Sequence, residues 1–489
     1  MWSDRLPEAK RCRLAERLRA VLPAPGPHAR GAVTPLRVPK GPAASGEQMA
    51  EELRAEPGFA WLDGGSAHRF FIRPLAVLTV RHGRATVTGP GGRVTFAAGG
   101  FDLLEAAFAA WGGPARALLV GWLGYELGAE LESLKPTSPT SLEDDLKLPD
   151  LHLALYDAAL RHDESGWHLE STDAWQGGSG GDRVRDAETR LAAARKREIP
   201  EPPEGRLATG PVTGRPNARG FMAAVERAVS RIRRGQIYQV NLCRRLEARL
   251  PADRIWPLWQ RLRAVSPADH GAFLDLGRGR AVLSVSPELF LAVRGGVVET
   301  RPIKGTRPRG TTPKQDRALA RELAESAKDR AELAMIVDVA RNDLGRVCAT
   351  GSIEVVRHAE LVTLPTLHHT VSTVRGRLRS EEIAVAVPLL RAAFPPASIT
   401  GAPKIQAMVV AAAEEETRRG PAMGALGWLS LGGDLELSVA IRTAAAAGGR
   451  VVYHAGGGIT ADSDPEIELE ETAVKARAFL TALGASESP

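Results

Sequence analysis

The ten residues Arg301–Gly310 read RPIKGTRPRG and follow a strand-like run that contains two valines. Pro302, Gly305 and Pro308 exclude a helix, so the stretch is predicted to be a shaped loop after a strand. Three arginines surround its central residue, Lys304, and their positive charge would favour the neutral, nucleophilic amine. The alternative is a basic loop whose lysine is solvated, as most lysines are. The rest of the chain has to decide between these two interpretations.

The composition is that of a soluble globular protein. The chain has 489 residues, of which 44% are hydrophobic and 25% charged, so it can form one large domain or two to three smaller ones. A net charge of +6 and a pI near 9.4 permit nucleic acid or an acidic metabolite as partner. The arginines are scattered, aromatic residues make up only 5%, and no RNA-binding signature occurs. We therefore expect no nucleic acid partner.

The cysteines and the N-terminus indicate the compartment. Cys12, Cys243 and Cys348 are far apart and lack metal-binding spacing, which favours a reducing environment. The first residues carry acids and bases and lack the apolar core of a signal peptide. No apolar run approaches the length of a membrane span. We expect a cytoplasmic protein without a membrane partner.

The pattern divides the chain into three regions. Residues 1–33 are predicted to be an N-terminal arm, with one short helix and a proline-rich end. Residues 34–206 mix short strands with helices, and residues 219–483 have the densest signals. In that last region strands come in hairpin-like groups instead of alternating with helices, which favours an antiparallel α+β fold. One long helix is predicted over about Lys314–Leu344 and a last one over Pro465–Leu483.

Two pairs of carboxylates stand on these two helices. Asp329 and Glu332, like Glu468 and Glu471, are three residues apart and share a helical face. Carboxylates on a buried stripe are costly unless paired or coordinated, and two such pairs could hold Mg²⁺. The alternative is helix-surface acids favoured by the dipole. The apolar residues assigned to the same stripes are Met335, Ile336, Val339, Ile467, Val474 and Ala478.

Glycine-rich stretches and one arginine could hold an anion. HAGGGITADSDP leaves a strand and enters a helix, and the backbone of Gly456–Gly458 is predicted to form an anion-binding loop. SITGAPK (Ser398–Lys404) is similar. Arg442 is predicted on a strand over Leu435–Thr443, opposite an apolar face, where it could capture a carboxylate. Ordinary turns and a surface arginine are the alternatives.

Two further side chains are candidates for proton transfer. Glu288 lies between two predicted strands and could act as a general acid or base if it faces the site. His369 opens a strand and lacks partners with zinc spacing. The motifs of serine hydrolases, P-loop proteins and zinc proteases are missing, and so is an amidotransferase-type nucleophilic cysteine motif.

Eight motifs in order resemble one known family. They are GQIYQVNLCRR, SPELF, RPIKGTRPRG, ELAMIVDVARNDLGRV, HHTVSTVRG, SITGAPK, SVAIRT and HAGGGITADSDPEIELEET. Together they resemble the chorismate-utilising enzymes, which include anthranilate synthase and aminodeoxychorismate synthase components I, isochorismate synthases and salicylate synthases. The likeness is strong over Arg219–Leu483 and weaker over Thr34–Arg206. It implies large, mainly antiparallel sheets packed face to face with helices outside.

The resemblance also implies a site. Glu332 and Glu471 would be Mg²⁺ ligands supported by Asp329 and Glu468, and His369 would lie near the departing ring hydroxyl of chorismate. The residues implied to bind substrate are Gln239, Thr306, Thr400, Gly401, Arg442, Gly456, Gly457, Gly458 and Lys475.

Two positions discriminate within the family. Members that add water carry a lysine base where this chain has Gln239, and glutamine cannot serve as a base. Anthranilate synthase members typically read PIAGT, whereas this chain reads PIKGT. The lysine form resembles aminodeoxychorismate synthase, in which Lys304 would attack chorismate with Glu288 as general acid and base. Ammonia would then give 4-amino-4-deoxychorismate, a precursor of 4-aminobenzoate and folate.

The resemblance implies a partner as well. The sequence shows no glutaminase module, so a separate glutamine amidotransferase subunit would supply the ammonia. The alternative on the same scaffold is an anthranilate synthase component I, which eliminates pyruvate and aromatises the ring.

Overall fold

The fold is described from a computed structural model. It describes residues 6–26, 31–37, 42–64, 67–113, 116–131, 142–175, 180–364, 367–379 and 386–487. Two pieces of the predicted N-terminal arm, 1–5 and 27–30, lie outside the described residues.

Two large sheets dominate the described part of the chain, and neighbouring strands in both run antiparallel. The first sheet contains β1 (Gly31–Pro35), β2 (Ala60–Gly64), β3 (Ala67–Phe71), β9 (Ala158–Asp163), β10 (Gly166–Thr172), β11 (Thr209–Arg215), β12 (Gln239–Arg249), β13 (His270–Asp275), β14 (Ala281–Ser286), β20 (Gly401–Ala402), β23 (Thr443–Ala447) and β24 (Arg450–Ile459). The second contains β4 (Ala76–Arg81), β5 (Arg84–Gly89), β6 (Gly92–Ala97), β7 (Leu118–Leu123), β8 (Leu151–Tyr156), β15 (Leu289–Arg294), β16 (Val297–Arg301), β17 (Ile303–Pro308), β18 (Glu354–Thr363), β19 (Leu367–Arg377), β21 (Ala425–Ser430) and β22 (Leu435–Val439).

Helices cover the outer faces of the sheets. They are α1 (Glu8–Val21), α2 (Gly46–Leu53), α3 (Gly100–Trp111), α4 (Gly128–Leu131), α5 (Gly180–Ala194), α6 (Ala218–Arg233), α7 (Ile255–Val265), α8 (Pro313–Glu325), α9 (Ala327–Gly345), α10 (Ala386–Ala393), α11 (Lys404–Glu414) and α12 (Pro465–Leu483). Within the described ranges, none of these helices is both long and apolar enough to cross a membrane.

The core forms layers because each sheet has two apolar faces. One cluster, with Trp122 and Trp428 of the second sheet and Phe71 and Leu274 of the first, fills the space between the sheets. A second cluster packs α2, α5, α7 and α12 on the outer face of the first sheet. A third packs α1, α3, α9 and α10 on the second sheet. Burial on this scale is the main stabilising term of the fold.

These layers confirm the predicted fold class, an α+β protein with mainly antiparallel sheets face to face and helices outside. Both sheets combine strands from before and after the 206–219 segment. The division of the chain into three regions stays a prediction.

The helix predicted over Lys314–Leu344 is wrong in one respect, because the chain forms two helices there. α8 ends at Glu325 and α9 begins at Ala327. Ser326 separates them, and its hydroxyl accepts a hydrogen bond from Asp329 N at 3.2 Å. Serine favours this capping position because it satisfies a free backbone N–H of the new helix. The last helix, α12, matches its predicted bounds.

Candidate active site

The site begins where the chain changes sheets. β14 of the first sheet is followed by β15 of the second, and Glu288 lies in the crossing segment. β22 of the second sheet is followed by β23 of the first, and the crossing segment 440–442 ends at Arg442, whose φ is +50°. The strand predicted over Leu435–Thr443 is therefore wrong, because a continuous strand could not pair in both sheets.

The two crossings hold each other in place. Val439 N donates to Glu288 O at 3.0 Å, and Val285 N donates to Arg442 O at 3.1 Å. Ser286 Oγ also donates to Val439 O at 2.6 Å. Backbone hydrogen bonds of this kind are needed wherever polar main chain is buried between sheets. They bring the side chains of Glu288 and Arg442 to one place.

Lys304 lies on a strand and not on the predicted loop, so that prediction is wrong. β17 is an edge strand that pairs with β19, and edge strands tolerate the flanking prolines. Gly305 has a φ of +73°, and the pairing register shifts between Lys304 and Thr306. A glycine permits this irregularity, which re-aims the neighbouring side chains.

The amine of Lys304 is partly buried inside the molecule. Nζ donates to Ser398 O at 3.2 Å, and Thr370 Oγ1 donates to Lys304 O. Burial lowers the pKa of Lys304; Glu332 acts against this shift, whereas Lys475 adds to it. Loss of hydration disfavours the charged ammonium, so the neutral amine is more accessible than in an exposed lysine.

The arginines of RPIKGTRPRG are not the cause of that shift, contrary to prediction. Arg301 pairs with Glu299 at 2.6 Å, and Arg309 pairs with Asp316 at 2.8 Å. Arg307 pairs with Glu322 at 2.8 Å. Each of these guanidinium charges is compensated by a carboxylate, and Arg307 Nη2 also donates to Asp329 Oδ2 at 3.3 Å.

The two acidic pairs approach Lys304 from different helices. Asp329 and Glu332 lie on α9, and Glu468 and Glu471 lie on α12. Burial raises the pKa of Glu332, although Lys304 opposes the shift. Burial would also raise the pKa of Glu471, but nearby lysines, Lys475 first, outweigh burial and the net shift is downward. The positive charges of Lys304 and Lys328 therefore act on both Glu332 and Glu471.

Glu468 is the most buried of these carboxylates. It is 3% exposed, and Oε1 accepts a hydrogen bond from Ser463 Oγ at 2.6 Å. Its other oxygen, Oε2, is buried and accepts no hydrogen bond from any described residue. Burial raises the pKa of this carboxyl. A buried oxygen without a partner is costly unless another group, such as a cation, contacts it.

The apolar stripe assigned to α12 is wrong. Ile467 is 62% and Val474 is 52% exposed. The buried face instead contains Glu468, Thr472 and Phe479. Position 467 is one residue from 468 and so points about 100° away from it around the helix.

The described residues contain no preformed group of three His, Cys, Asp or Glu side chains around one metal position. The arrangement still fits a hard cation, because Mg²⁺ commonly uses one or two carboxylates and takes its other ligands from water and substrate. Glu332 and Glu471 would be those carboxylates, and the unpartnered Glu468 Oε2 supports a cation nearby.

The three glycines of HAGGG lie within strand β24, so the predicted anion-binding loop is wrong. Gly456, Gly457 and Gly458 pair with Cys243, Leu242 and Asn241 of β12. Because glycine has no side chain, other side chains can approach this part of β24 closely. A Cβ on Gly457 would lie 2.7 Å from Glu468 Oε2, and one on Gly458 would lie 2.3 Å from Gln239 Nε2.

Gln239 lies at the start of β12 and faces Gly458 of β24. It is 2% exposed, and its Oε1 has no hydrogen-bond partner among the described residues. The Cβ position of Gly458 is 2.3 Å from Gln239 Nε2 and 3.6 Å from Lys304 Nζ, which places the amide and the amine on the same side of β24. An unpartnered buried amide oxygen is available for a donor on a ligand.

The SITGAPK stretch packs against Gln239. β20 pairs with β12 so that Gln239 faces Ala402 and Val240 faces Gly401. A Cβ on Gly401 would lie 2.2 Å from Gln239 O, which requires glycine there. Thr400 Oγ1 donates to Pro396 O at 2.8 Å, so its hydroxyl is engaged by backbone.

Glu288 is buried beside Lys304. Burial raises the pKa of Glu288 to about 7, and Ser398, Lys304 and Arg442 oppose the shift. A carboxyl with such a pKa can both give and take a proton near neutral pH.

His369 connects Thr306 with Arg442. Arg442 Nη2 donates to His369 Nε2 at 3.4 Å, so Nδ1 carries the proton and faces Thr306 Oγ1 at 3.0 Å. Burial and the charge of Arg442 lower the pKa of His369 to about 4. The imidazole is therefore neutral at physiological pH.

Lys475 extends from α12 and contacts both Glu471 and β24. Its Nζ lies 2.5 Å from Glu471 Oε1 and donates to Gly456 O at 2.8 Å. Sequence reasoning missed Ser398, whose carbonyl accepts from Lys304, and Lys328, whose charge acts on Glu332, Glu468 and Glu471. The only sequence signal for Ser398 was its place as the first residue of SITGAPK. The position of Lys328 could not be predicted without knowing that a new helix begins at Ala327.

Comparison with known proteins gives one family. The model of the family described as chorismate binding enzyme matches residues 59–481. An aminodeoxychorismate synthase from Streptomyces griseus is 43% identical over 375 residues, which is 74% of this chain and 50% of that relative. The component 1 of the Salmonella typhimurium enzyme is 38% identical, over 74% of this chain and 75% of the relative. Anthranilate synthase component 1 of Streptomyces coelicolor is 44% identical over a shorter stretch, 55% of this chain and 52% of that relative.

A solved structure agrees with the sequence relatives. Anthranilate synthase component I from Streptococcus pneumoniae superposes with a TM-score of 0.71 and 26% identity, covering 93% of this chain and 94% of that structure. The family match spans most of the chain and includes both acidic pairs, Lys304 and the glycines of β24. The chain therefore belongs to the chorismate-binding enzyme family.

Proposed function

We propose that the chain is the synthase component that converts chorismate and ammonia to 4-amino-4-deoxychorismate. The observation that carries this proposal is the placement of Lys304 Nζ. It lies 3.2 Å from Ser398 O, its pKa is lowered by burial, and it shares its surroundings with Gln239, Glu288 and Glu332. The relatives named aminodeoxychorismate synthase support the same activity.

The first step uses Lys304 as nucleophile. The neutral amine bonds to C2 of chorismate, both ring double bonds shift (C1=C2 to C1=C6, and C5=C6 to C4=C5), and the bond from C4 to its hydroxyl breaks. Glu288, which is protonated up to about pH 7, gives its proton to the departing oxygen, which leaves as water. A partly buried lysine with a lowered pKa suits this role, since only the neutral amine attacks.

The second step reverses the covalent bond. Ammonia bonds to C4, both ring double bonds shift back to C5=C6 and C1=C2, and the bond from C2 to Lys304 breaks. Glu288 takes a proton from the incoming nitrogen, so the enzyme returns to its starting state. Gln239 supports ammonia over water, because an amide cannot take a proton from water as the lysine of water-using relatives does.

The remaining predicted residues would bind and orient the substrate. Arg442, steadied by neutral His369, would hold a carboxylate, and Thr306 would fix the histidine. The glycines of β24 would leave room for the ring beside Gln239, with Lys475 at one side. Gly401 and Thr400 would act through the backbone that supports Gln239.

We assign Mg²⁺ to the acidic pairs, with Glu332 and Glu471 as ligands and Asp329 and Glu468 beside them. The cation would neutralise a substrate carboxylate when bound. Glu468 Oε2, which is buried without a hydrogen-bond partner among the described residues, supports a positive group at this position.

The source of ammonia would be a separate glutamine amidotransferase subunit. Relatives named component 1 support a second component. Cys12, Cys243 and Cys348 are free thiols, which fits the cytoplasm.

The alternative activity is that of anthranilate synthase. The Streptomyces coelicolor relative favours it over the part of the chain that it matches. The experiment that separates the two is incubation of the protein with chorismate, Mg²⁺ and an ammonium salt, followed by mass analysis of the products. We expect 4-amino-4-deoxychorismate, which retains the enolpyruvyl group. Anthranilate as the main product would contradict the proposal.

A further inference from the structure

The segment from Pro396 to Lys404 supports two site residues at once. Ser398 O accepts the hydrogen bond from Lys304 Nζ. Thr400 O accepts from Asn241 N at 2.9 Å, and Ala402 pairs with Gln239 at the start of β12. A displacement of this segment would therefore move the acceptor of Lys304 and the strand that carries Gln239.

An ion pair ties the end of this segment to α9. Lys404 Nζ lies 2.7 Å from Asp343 Oδ2 and also donates to Ala393 O at 2.8 Å. Both side chains are largely buried, at 16% and 7% exposure. Screening by water is weak at such a depth, so the pair fixes its partners more strongly than a surface pair.

Packing alone does not fix the segment on this side. A small, partly open pocket of about 30 Å³, room for one water, is lined by Glu288, Pro302, Asp343 and Ser398 among others. Side chains that border a void lose dispersion contacts there. Asp343 lines this pocket, and its ion pair with Lys404 provides a directional contact where packing contacts are missing.

α9 also carries the candidate metal ligand. Asp343 follows Glu332 by eleven residues, about three turns or about 16 Å along the helix axis. The helix thus presents a carboxylate to the acidic cluster at one end and holds the Pro396–Lys404 segment at the other. A rigid helix transmits the position of one end to the other.

We propose that Asp343 and Lys404 form a positioning pair that sets the Lys304 acceptor, Ser398 O, relative to Glu332 on α9. The pair touches no substrate atom and acts through Lys304 and Gln239. This inference rests on the proposed function for its kinetic effect, but its structural effect is independent of the product formed.

The test compares four variants of the full chain. Asp343→Asn leaves a buried lysine without its counter-ion and can fail to fold. The neutral double variant Asp343→Asn/Lys404→Met removes both charges and avoids that penalty. The exchange Asp343→Lys/Lys404→Asp restores an ion pair of opposite direction. The matched control is Asp157→Asn. It breaks the 2.6 Å ion pair between Asp157 and Arg183 of α5, whose side chains are buried to a similar extent.

The readouts are steady-state chorismate consumption and amide hydrogen exchange of peptides that cover 396–404. In the neutral double variant we expect kcat to fall about 10- to 100-fold with KM changed less than about threefold, since small misplacements near reacting groups cost this much. We expect faster exchange in 396–404, and recovery of at least part of kcat in the exchange variant. Asp157→Asn should change neither quantity.

Wild-type kcat and exchange in the folded neutral double variant would overturn the positioning role. So would an equal loss in Asp157→Asn, since it would show a general loss of stability. If the wild type consumed chorismate to another product, the proposed function would fail while both readouts still tested the pair. If it consumed none, the exchange comparison alone would decide.

Discussion

Glu288 and Arg442 lie in two neighbouring segments that cross between the sheets, and the crossings are hydrogen-bonded through Val439 N and Val285 N. The arrangement brings the carboxyl group of Glu288 close enough to the guanidinium of Arg442 for the two to interact electrostatically. The charge of Arg442 lowers the pKa of Glu288, yet burial dominates and the net value is about 7. The fold thereby supplies a proton-transfer group suited to neutral pH.

The pKa of Glu288 predicts a pH dependence of stability. The folded protein keeps the proton up to about pH 7, whereas the unfolded chain loses it near 4.5. Between these values the folded state binds more protons, so the contribution of Glu288 to the free energy of unfolding falls as pH rises. Glu288→Gln cannot titrate and should lack this part of the decline.

Urea unfolding of both proteins at several pH values between about 5 and 8 measures the difference. Glu360→Gln, a substitution at an exposed position, is the control and should follow the wild type. Parallel curves for wild type and Glu288→Gln would show that the Glu288 pKa is ordinary.

Glu288→Gln should also lose chorismate turnover about 10²- to 10⁴-fold, the usual contribution of an acid–base group.

Gly458 gives a steric prediction. Gly458→Ala would place its Cβ 2.3 Å from Gln239 Nε2, a distance that real Cβ contacts do not show. The amide must move out of its position beside Lys304, so we expect a large loss of kcat/KM with the fold retained, as judged by circular dichroism. Gly345→Ala, whose Cβ would meet only Ile353 Cδ1 at 3.8 Å, should keep wild-type activity. Full activity of Gly458→Ala would exclude a substrate site on this side of β24.

Sequence reasoning found the residues of this site better than their conformations. The spacing of Asp329 with Glu332 and of Glu468 with Glu471 was sufficient to place both pairs on helical faces, because helical geometry is local. The glycines Gly456–Gly458 were predicted to form a loop. Their strand conformation depends on pairing with β12, more than two hundred residues earlier in the chain.

The cause of the Lys304 shift was also beyond local reasoning. The arginines beside it in sequence are each paired with a carboxylate, including Glu322 and Asp316 on α8. The burial that lowers the pKa of Lys304 comes from segments nearly a hundred residues later, such as Ser398. Likewise, the break at Arg442 follows from a change of sheet, which no periodicity reveals.

The acidic pairs predict a dependence on Mg²⁺. Glu332→Gln and Glu471→Gln each remove one negative charge while keeping the size of the side chain. We expect the apparent affinity for Mg²⁺ to fall at least about 10- to 100-fold, since even losing a partner of a ligand costs this much. Titration of chorismate turnover with Mg²⁺, supported by calorimetry, measures the change.

Glu470→Gln provides the matched control for the metal prediction. Glu470 is exposed and adjacent to Glu471 on α12, so its variant alters the helix charge equally. Its Mg²⁺ affinity should stay close to that of the wild type. Equal weakening in all three variants would mean that net charge, and not ligation, governs the affinity.

The covalent role of Lys304 is the central claim, and it is tested most directly by intact-protein mass analysis. The protein is incubated with chorismate and Mg²⁺ without ammonia, then quenched and analysed. We predict a mass gain equal to chorismate minus one water, located on Lys304 by peptide mapping, which disappears on addition of ammonium and is missing in Lys304→Ala. Full formation of 4-amino-4-deoxychorismate by folded Lys304→Ala would contradict the account.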